Sequence, residues 1–176
     1  MKTIRTKFIF TLLCCLSLTA CKETQFVHVG AYWDALNKLQ APANSFAIEV
    51  TAPKELDLGK DMGFQVKSEL AGRLWIIQVD PKDQVTLLFP NRAERNNTIF
   101  ANKWLNIPQQ QANWSIETMR PTGVSVLAFI VTPADFDLVE VTDQITIDKT
   151  TIEQAMTLLN ESGRWSLFKH IINIKA

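Results

Sequence analysis

Residues 72–89 read GRLWIIQVDPKDQVTLLF, and this stretch decides how the chain folds. The apolar run at 74–79 is nearly continuous, which is typical of a strand that is buried on both faces. The DPKD segment at 80–83 begins with Asp and has Pro second, as a tight turn prefers. A second apolar run starts at Val85 and stops before Pro90, which has no N–H for a strand ladder. The stretch therefore predicts a β-hairpin that contains a core strand.

Alternation of apolar and polar residues continues on both sides of this hairpin. Phe64, Val66 and Ser68, for example, fall on one side of an extended chain. We predict further strands at 46–50, 62–70, 98–100, 104–107, 114–119 and 124–132. The four strands between 46 and 89 are interpreted as two hairpins in series. Turn signals recur at roughly eight to twelve residues, which is the spacing of a sandwich or a barrel. We predict an antiparallel β-sandwich, Ig-like or jelly-roll-like.

A short helix is predicted before the first strand. Trp33, Leu36 and Leu39 share one side of a helix over 31–39, which Pro42 ends. Such a stripe indicates either a helix that packs on the domain or a helix that docks a partner near a membrane. The first alternative is the usual role of an apolar helical stripe.

The C-terminal part predicts a short strand, a helix and a final strand. Thr150 and Glu153 have the spacing of a capping box, and a helical apolar stripe follows them. The short strand is expected at 145–147, and the final strand, at 168–174, should join the sheet. Residues 45–176 are therefore interpreted as a single β-sandwich domain with a C-terminal helix and strand.

The first 20 residues have the layout of a lipoprotein signal peptide. Three basic residues precede an apolar run at 8–18, which is shorter than the roughly 20 residues that a membrane-spanning helix needs. The following sequence LTAC, at 18–21, resembles the bacterial lipobox. The resemblance implies cleavage before Cys21 and attachment of lipid to the Cys21 sulfur.

Lipidation of Cys21 would hold the mature chain on a membrane, because two or more acyl chains give stable attachment. Residues 21–44 are accordingly interpreted as a lipidated tether followed by the short helix. Lys22, rather than Asp, follows the cysteine. This residue favours the outer membrane, with the protein facing the periplasm.

Composition limits the function classes that need consideration. The chain has 18 basic and 18 acidic residues, and removal of the signal peptide would leave 15 and 18. No clustered basic segment of the kind that binds nucleic acid is present. Cys14 and Cys15 lie in the signal peptide, so lipidation of Cys21 would leave no thiol for a disulfide. The remaining 156 residues are enough for one domain that is stabilised by its core.

No catalytic constellation is visible in the sequence. His28 and His170 lie near opposite ends, and neither belongs to an HExxH pattern. No GxSxG elbow, SxxK pair or glycine-rich phosphate loop occurs. The acidic residues between 135 and 148 lack the glycine and the spacing of an EF-hand loop. We therefore expect neither enzyme activity, nor a metal site, nor a cofactor.

Aromatic residues provide the remaining candidates for function. Most of the larger ones fall at predicted inward strand positions: Phe64, Trp75, Phe89, Phe100, Trp104, Trp114 and Trp165. Core packing is the expected role of these side chains, and an exposed platform for a glycan or a partner is the alternative. Candidate partner-binding residues are Trp33, in the short helix, and Arg92 and Arg95, in a polar loop at 92–97 that should be exposed.

Four segments carry a resemblance to a known family: GKD at 59–61, FQVKS at 64–68, GRLWIIQVD at 72–80 and VTLLFPN at 85–91. They resemble an uncharacterised extracytoplasmic β domain with an LFPN element, and the resemblance covers about 58–134. This family occurs in bacterial lipoproteins and beside kinase-like or caspase-like modules. The resemblance implies a β-sandwich accessory domain without known catalysis, and it supplies no functional residues.

The sequence thus predicts a membrane-anchored periplasmic accessory lipoprotein that binds an envelope protein. A component of an assembly such as a type VI secretion system would have this size, anchor and architecture, which is an argument by analogy. The alternative is an envelope module that binds glycan or peptidoglycan through exposed aromatic side chains. Neither interpretation involves binding to nucleic acid.

Overall fold

The computed structural model describes residues 30–136, 155, 157–161 and 163–176, and it has the mainly β architecture that the sequence predicts. The elements are α1 Ala31–Lys38, β1 Ile48–Thr51, β2 Glu55–Asp57, β3 Phe64–Ser68, β4 Gly72–Val79, β5 Val85–Phe89, β6 Thr98–Ile99, β7 Trp104–Ile107, β8 Gly123–Thr132 and β9 Ser166–Lys175. Residues 155 and 157–161 are also helical and precede β9.

The strands form two sheets that pack face to face. The small sheet has the order β1-β3-β7, and both of its pairs are antiparallel. The large sheet has the order β2-β9-β8-β4-β5, and β6 pairs with the start of β4. Only the β2–β9 pair of the large sheet is parallel among the described strands. Together the two sheets form the expected sandwich.

The stretch at 72–89 folds as the predicted hairpin. Val79 pairs with Val85, and the register shifts between Ile76 and Ile77. The preceding strand, β3, lies in the other sheet, so residues 69–71 carry the chain between the sheets. A Cβ on Gly72 would lie 2.1 Å from the carbonyl oxygen of Thr132. Glycine at this position therefore permits the close approach of β4 and β8.

The large sheet is buried on both faces, as the continuous apolar run predicted. Alternate residues of β4 point in opposite directions: Leu74 and Ile76 enter the core between the sheets, whereas Trp75 and Val79 enter a second core. The same division holds along β8. Sheet-on-sheet packing fills the first core, and helical segments cover the second one.

The helix α1 is part of this second core. Trp33, Leu36 and Leu39 are all buried against the large sheet, together with Leu159 and Trp165 from the C-terminal part. The molecule therefore has three layers: the small sheet, the large sheet and the helices. Of the two alternatives for the apolar stripe of the short helix, the structure has the first one, in which the helix packs on the domain.

Several sequence-based expectations differ from the structure. The predicted strand at 114–119 is wrong, because this segment forms only one bridge, from Glu117 to Asp61. Its Trp114 and Ile116 nevertheless pack, half-buried, against the core between the sheets. The strand β2 was not predicted, since three residues give no pattern. The predicted strand at 145–147 and the capping box at 150–153 lie outside the described residues.

Candidate functional site

The N-terminus of α1 is capped by a residue far away in the sequence. The Asp83 carboxylate, in the turn between β4 and β5, accepts hydrogen bonds from the backbone N–H of Tyr32 at 3.1 Å and of Trp33 at 2.8 Å. These donors have no partner within the helix, and a negative charge there also favours the helix dipole. A Cβ on Gly30 would collide with the Asp83 side chain, which accounts for glycine before the helix.

The C-terminus of α1 is capped in the same long-range manner. Lys169, on β9, donates from Nζ to the carbonyl oxygens of Leu36, Asn37 and Leu39 at 3.3, 2.6 and 3.0 Å. Burial lowers the pKa of Lys169, because the ammonium loses part of its hydration. A cation at this end of the helix is favourable for the dipole. The large sheet therefore holds an eight-residue helix at both of its ends.

This arrangement decides the position of Trp33, which the sequence offered as a candidate partner-binding residue. Its side chain is only 5% exposed and lies in the core between α1 and the large sheet. A partner could reach Trp33 only if the helix left the sheet. The residue acts here as a core anchor of the helix.

The loop after β5 presents the other two candidates, Arg92 and Arg95. The Asn91 side chain organises the loop: its Oδ1 accepts the N–H groups of Ala93 at 3.0 Å and Glu94 at 2.9 Å, and its Nδ2 donates to the Leu88 carbonyl at 3.1 Å. Both arginines are exposed on this loop.

The predicted exposure of the 92–97 loop is wrong at its end. Asn97 is only 4% exposed, and its carbonyl oxygen accepts the N–H of Leu74. The loop is therefore joined to the start of β4, next to the short β4–β6 pairing.

Two of the aromatic residues that the sequence placed inward are instead on the surface. Phe100 is 63% exposed and Trp104 is 49% exposed, whereas Trp75 and Trp165 are buried as predicted. The prediction is wrong for Trp104 because Leu105 and Ile107 face the core, and neighbouring residues of a strand point to opposite faces. Of the two alternatives for the aromatic residues, Trp104 therefore follows the exposed one and not core packing.

The outer face of the small sheet, which looks away from the large sheet, consists of two cross-strand rows. Glu49, Lys67 and Trp104 form the first row, and Thr51, Gln65 and Asn106 form the second. In the first row, Lys67 Nζ lies 2.6 Å from Glu49 and 5.2 Å from the centroid of the Trp104 ring. In the second row, Gln65 Nε2 donates to Asn106 Oδ1 at 3.0 Å.

A shallow groove of about 340 Å³ adjoins the second row. It is open to solvent, and its lining includes the polar side chains of Thr51, Gln65, Asn106 and Gln110, with Pro53 and Pro108 as apolar walls. Among the described residues, none with a charged side chain lines this groove. Most of its accessible lining is apolar, and the amide and hydroxyl groups in it can both donate and accept hydrogen bonds.

The described residues show no cluster of three or more side chains that could bind a metal ion. His170 lies on β9, where its Nε2 is 2.9 Å from the Pro53 carbonyl oxygen, a contact between the large sheet and the chain after β1. His28 and Cys21 lie outside the described residues. Within the described part of the chain, no helix has the length and apolar character to cross a membrane.

The described residues define a mainly antiparallel β-sandwich with helices on one face of its larger sheet. Within it, residues 55–135 match the family model described as "Domain of unknown function (DUF4384)". The match runs from β2 to just beyond β8 and leaves out α1, β1 and β9. It covers the stretch of about 58–134 on which the sequence resemblance is based. Neither a curated protein nor a solved structure matches the chain.

Sequence reasoning missed the residues that organise the surface and the helix. Asp83 and Lys169 gave no signal, because each contacts α1 from a position at least 50 residues away. The outward position of Trp104, Asn106 and Gln65 could have been predicted, because alternate residues of a strand point to opposite faces. If Ile107 points inward, Trp104 points outward, and the partner strand brings Gln65 beside Asn106.

Proposed function

We propose that this protein is a membrane-anchored accessory lipoprotein of the bacterial envelope, whose extracytoplasmic domain binds a protein partner. The lipobox-like sequence at 18–21 supports the anchor. The LFPN element, which leads into the Asn91-centred loop, supports the identification with a domain that occurs in lipoproteins. A non-catalytic role agrees with the sequence, in which no nucleophile and base stand at the spacing of a known catalytic motif.

The observation that carries the proposal is the separation of the two ends of the sandwich. One end holds Gly30 and the turn at 80–83, and we call it the Gly30 end. The opposite end holds the crossing at 69–71 and the turn at 100–103, and we call it the Trp104 end. Asn102 N–H donates to Ser68 O at 2.7 Å, which places these two segments together.

A lipid on Cys21 would attach to the Gly30 end. The nine residues from Cys21 to Gly30 span at most about 30 Å when fully extended. The eight residues of β4 then separate the two ends of the sandwich by about 25 Å. The Arg92–Arg95 loop follows the last residue of β5 and so lies toward the Trp104 end, opposite the end at which the lipidated tether would join the domain.

Arginine on an ordered loop suits recognition of a protein surface. Arg is enriched at interfaces, where its planar guanidinium binds carboxylates with two hydrogen bonds. The Asn91 hydrogen bonds hold the loop in one conformation before binding, which lowers the entropy lost in the complex. A small outer-membrane lipoprotein of a secretion system, such as type VI secretion, is the analogous class.

Site-specific crosslinking in cells tests the partner. A photoreactive amino acid at position 92 or 95 should give one discrete crosslinked protein species, whereas the same probe at Lys82, exposed at the Gly30 end, should not. Equal crosslinking at all three positions would contradict a partner surface at the loop. For the anchor, Cys21→Ser should release the protein from the membrane fraction, and mass spectrometry of the wild type should find acyl chains on Cys21.

A glycan or peptidoglycan ligand is the second candidate function. The specific observation that favours it is the exposure of Trp104 beside two amide side chains on the outer face of the small sheet. None of the residues of this surface belongs to the Arg92–Arg95 loop, so the two candidate functions are compatible in one protein.

A further inference from the structure

We propose that the outer face of the small sheet is a binding site for a linear glycan of N-acetylated sugars. This inference deepens the second candidate function and places the ligand: one sugar ring stacks on Trp104, and the following rings contact Gln65, Asn106 and the adjoining groove. The argument has three parts, namely the exposed aromatic ring, the polar groups beside it and the charge of the face.

The strand fixes the backbone of Trp104, which carries the exposed ring. Its backbone pairs with Lys67 on β3, and the next residue, Leu105, packs toward the core between the sheets. The side chain is 49% exposed despite its large apolar area. An indole offers a rigid apolar surface with one N–H donor, which suits a sugar ring that has an apolar face and polar edges.

The second part is the row of polar side chains next to Trp104. Asn106 lies two residues along β7, on the same face, at about 7 Å from Trp104. The hydrogen bond from Gln65 Nε2 to Asn106 Oδ1 uses neither the Asn106 amide NH₂ nor the Gln65 carbonyl oxygen. These groups are one donor and one acceptor, the pair that an N-acetyl group requires.

The groove extends the same face beyond Asn106. Pro108 and Thr51 line it, and from Trp104 to Pro108 the strand direction covers about 14 Å. The Trp104 ring, the Gln65–Asn106 amide pair and the groove therefore follow one another along β7. A linear chain of sugars can contact all three without bending, whereas a single small ligand could contact only part of this surface.

Charge distinguishes a glycan from an acidic protein as the occupant. The only described charged side chains in the two rows are Lys67 and Glu49, which pair with each other at 2.6 Å. The groove lining that the structure describes contains no charged residue either. The face is therefore neutral, and it lacks the basic excess that would attract an acidic protein segment.

Glycan binding by the full-length lipidated protein in detergent micelles tests this site. The two probes are purified peptidoglycan sacculi, in a cosedimentation assay, and a soluble tetramer of N-acetylglucosamine, by calorimetry. Trp104→Ala should weaken binding to both probes by about tenfold or more, and Trp104→Phe by less, because a smaller ring remains. Asn106→Ala should weaken binding several-fold. Met119→Ala, which removes a side chain that is 70% exposed and belongs neither to the two rows nor to the groove lining, is the control and should bind as the wild type does.

Circular dichroism and thermal unfolding confirm that each variant is folded. Unchanged glycan binding by folded Trp104→Ala would overturn the site, and failure of the wild type to bind either probe would overturn the glycan as its occupant. Loss of a captured envelope protein in Trp104→Ala, without glycan binding, would assign the face to a protein instead. Membrane release by Cys21→Ser and crosslinking at 92 and 95 do not depend on this face, so failure here is distinguishable from failure of the proposed lipoprotein function.

Discussion

The two sheets of the sandwich differ in how many of their faces are buried, and this difference locates the candidate site. In the large sheet, β8 is buried at every residue from Ser125 to Thr132, because the small sheet covers one face and the helices cover the other. In the small sheet, burial alternates along β3, and its outer face is exposed to solvent. A surface for binding is therefore available on the small sheet and not on the central strands of the large one.

Two tryptophans show the same contrast within single side chains. Trp75 on β4 is 1% exposed, and its Nε1 donates to Thr132 Oγ1 at 3.0 Å, so both its apolar body and its polar tip are satisfied inside the protein. Trp104 on β7 is about half exposed and contacts Lys67 at the surface. The residue type is the same, and the number of layers around its sheet decides its role.

The largest expected effect comes from breaking the doubly buried sheet. Trp75→Ala should lower the free energy of unfolding by about 3–5 kcal/mol, because it leaves a cavity between α1 and the sheet and removes the hydrogen bond to Thr132 Oγ1. Trp104→Ala should change it by less than about 0.5 kcal/mol, since the side chain is at the surface. Urea denaturation followed by circular dichroism measures both values. Similar losses for the two variants would contradict the difference between the sheets.

A smaller effect is expected from releasing the helical layer. Asp83→Gly should lower the free energy of unfolding by about 1 kcal/mol, since it removes the cap from the N-terminus of α1. Glycine retains the positive φ of 60° that position 83 adopts, so the backbone of the turn is kept. Hydrogen exchange should accelerate selectively in α1. Lys82→Ala, an exposed change in the same turn, is the control and should leave the exchange of α1 unchanged.

If Asp83→Gly accelerated exchange equally in α1 and in the small sheet, the carboxylate would be stabilising the whole sandwich. The cap would then not be specific to the helical layer. The expected pattern, in which α1 alone responds, would show that the helix is held by contacts that the small sheet does not share.

The smallest expected effect concerns the charge pair on the open face. Lys67 and Glu49 are both solvent-accessible, so a double-mutant cycle with Lys67→Met and Glu49→Gln should give a coupling free energy below about 0.5 kcal/mol. The coupling should decrease further when salt is added. A salt-independent coupling above about 1 kcal/mol would mean that the outer face is covered in solution and would count against a free binding surface there.

The sequence predicted the regular parts of the fold because local pattern controls them. The β4–β5 hairpin, the long β8, the final strand and α1 all follow from period and turn chemistry. The segment at 114–119 has the same alternation but forms no strand, since its partner at 60–62 is a loop and not a strand. Alternation reports which side of a segment is apolar, and pairing requires a partner elsewhere in the chain.

The candidate site was only partly predictable. The sequence left two alternatives for the aromatic residues, namely core packing and an exposed platform. Trp104 and Phe100 are exposed, whereas Trp75, Trp165 and Phe64 are in the core. Arg92 and Arg95 lie at the surface as expected. The partners of Trp104 on the outer face come from strands that are about 40 and 55 residues earlier, so the register of the sheet was needed to bring them together.

The amino-acid sequence by itself determined that this chain forms short antiparallel strands around a central apolar one, because side-chain period and turn residues act within a few positions. Tertiary structure alone decided which sheet has an open face, and it placed Asp83 and Lys169 at the two ends of α1. The physical reason is that burial and capping depend on which distant segments meet. A strand pattern shows which side of a strand is apolar. The packing of the whole chain decides whether a second layer covers the other side.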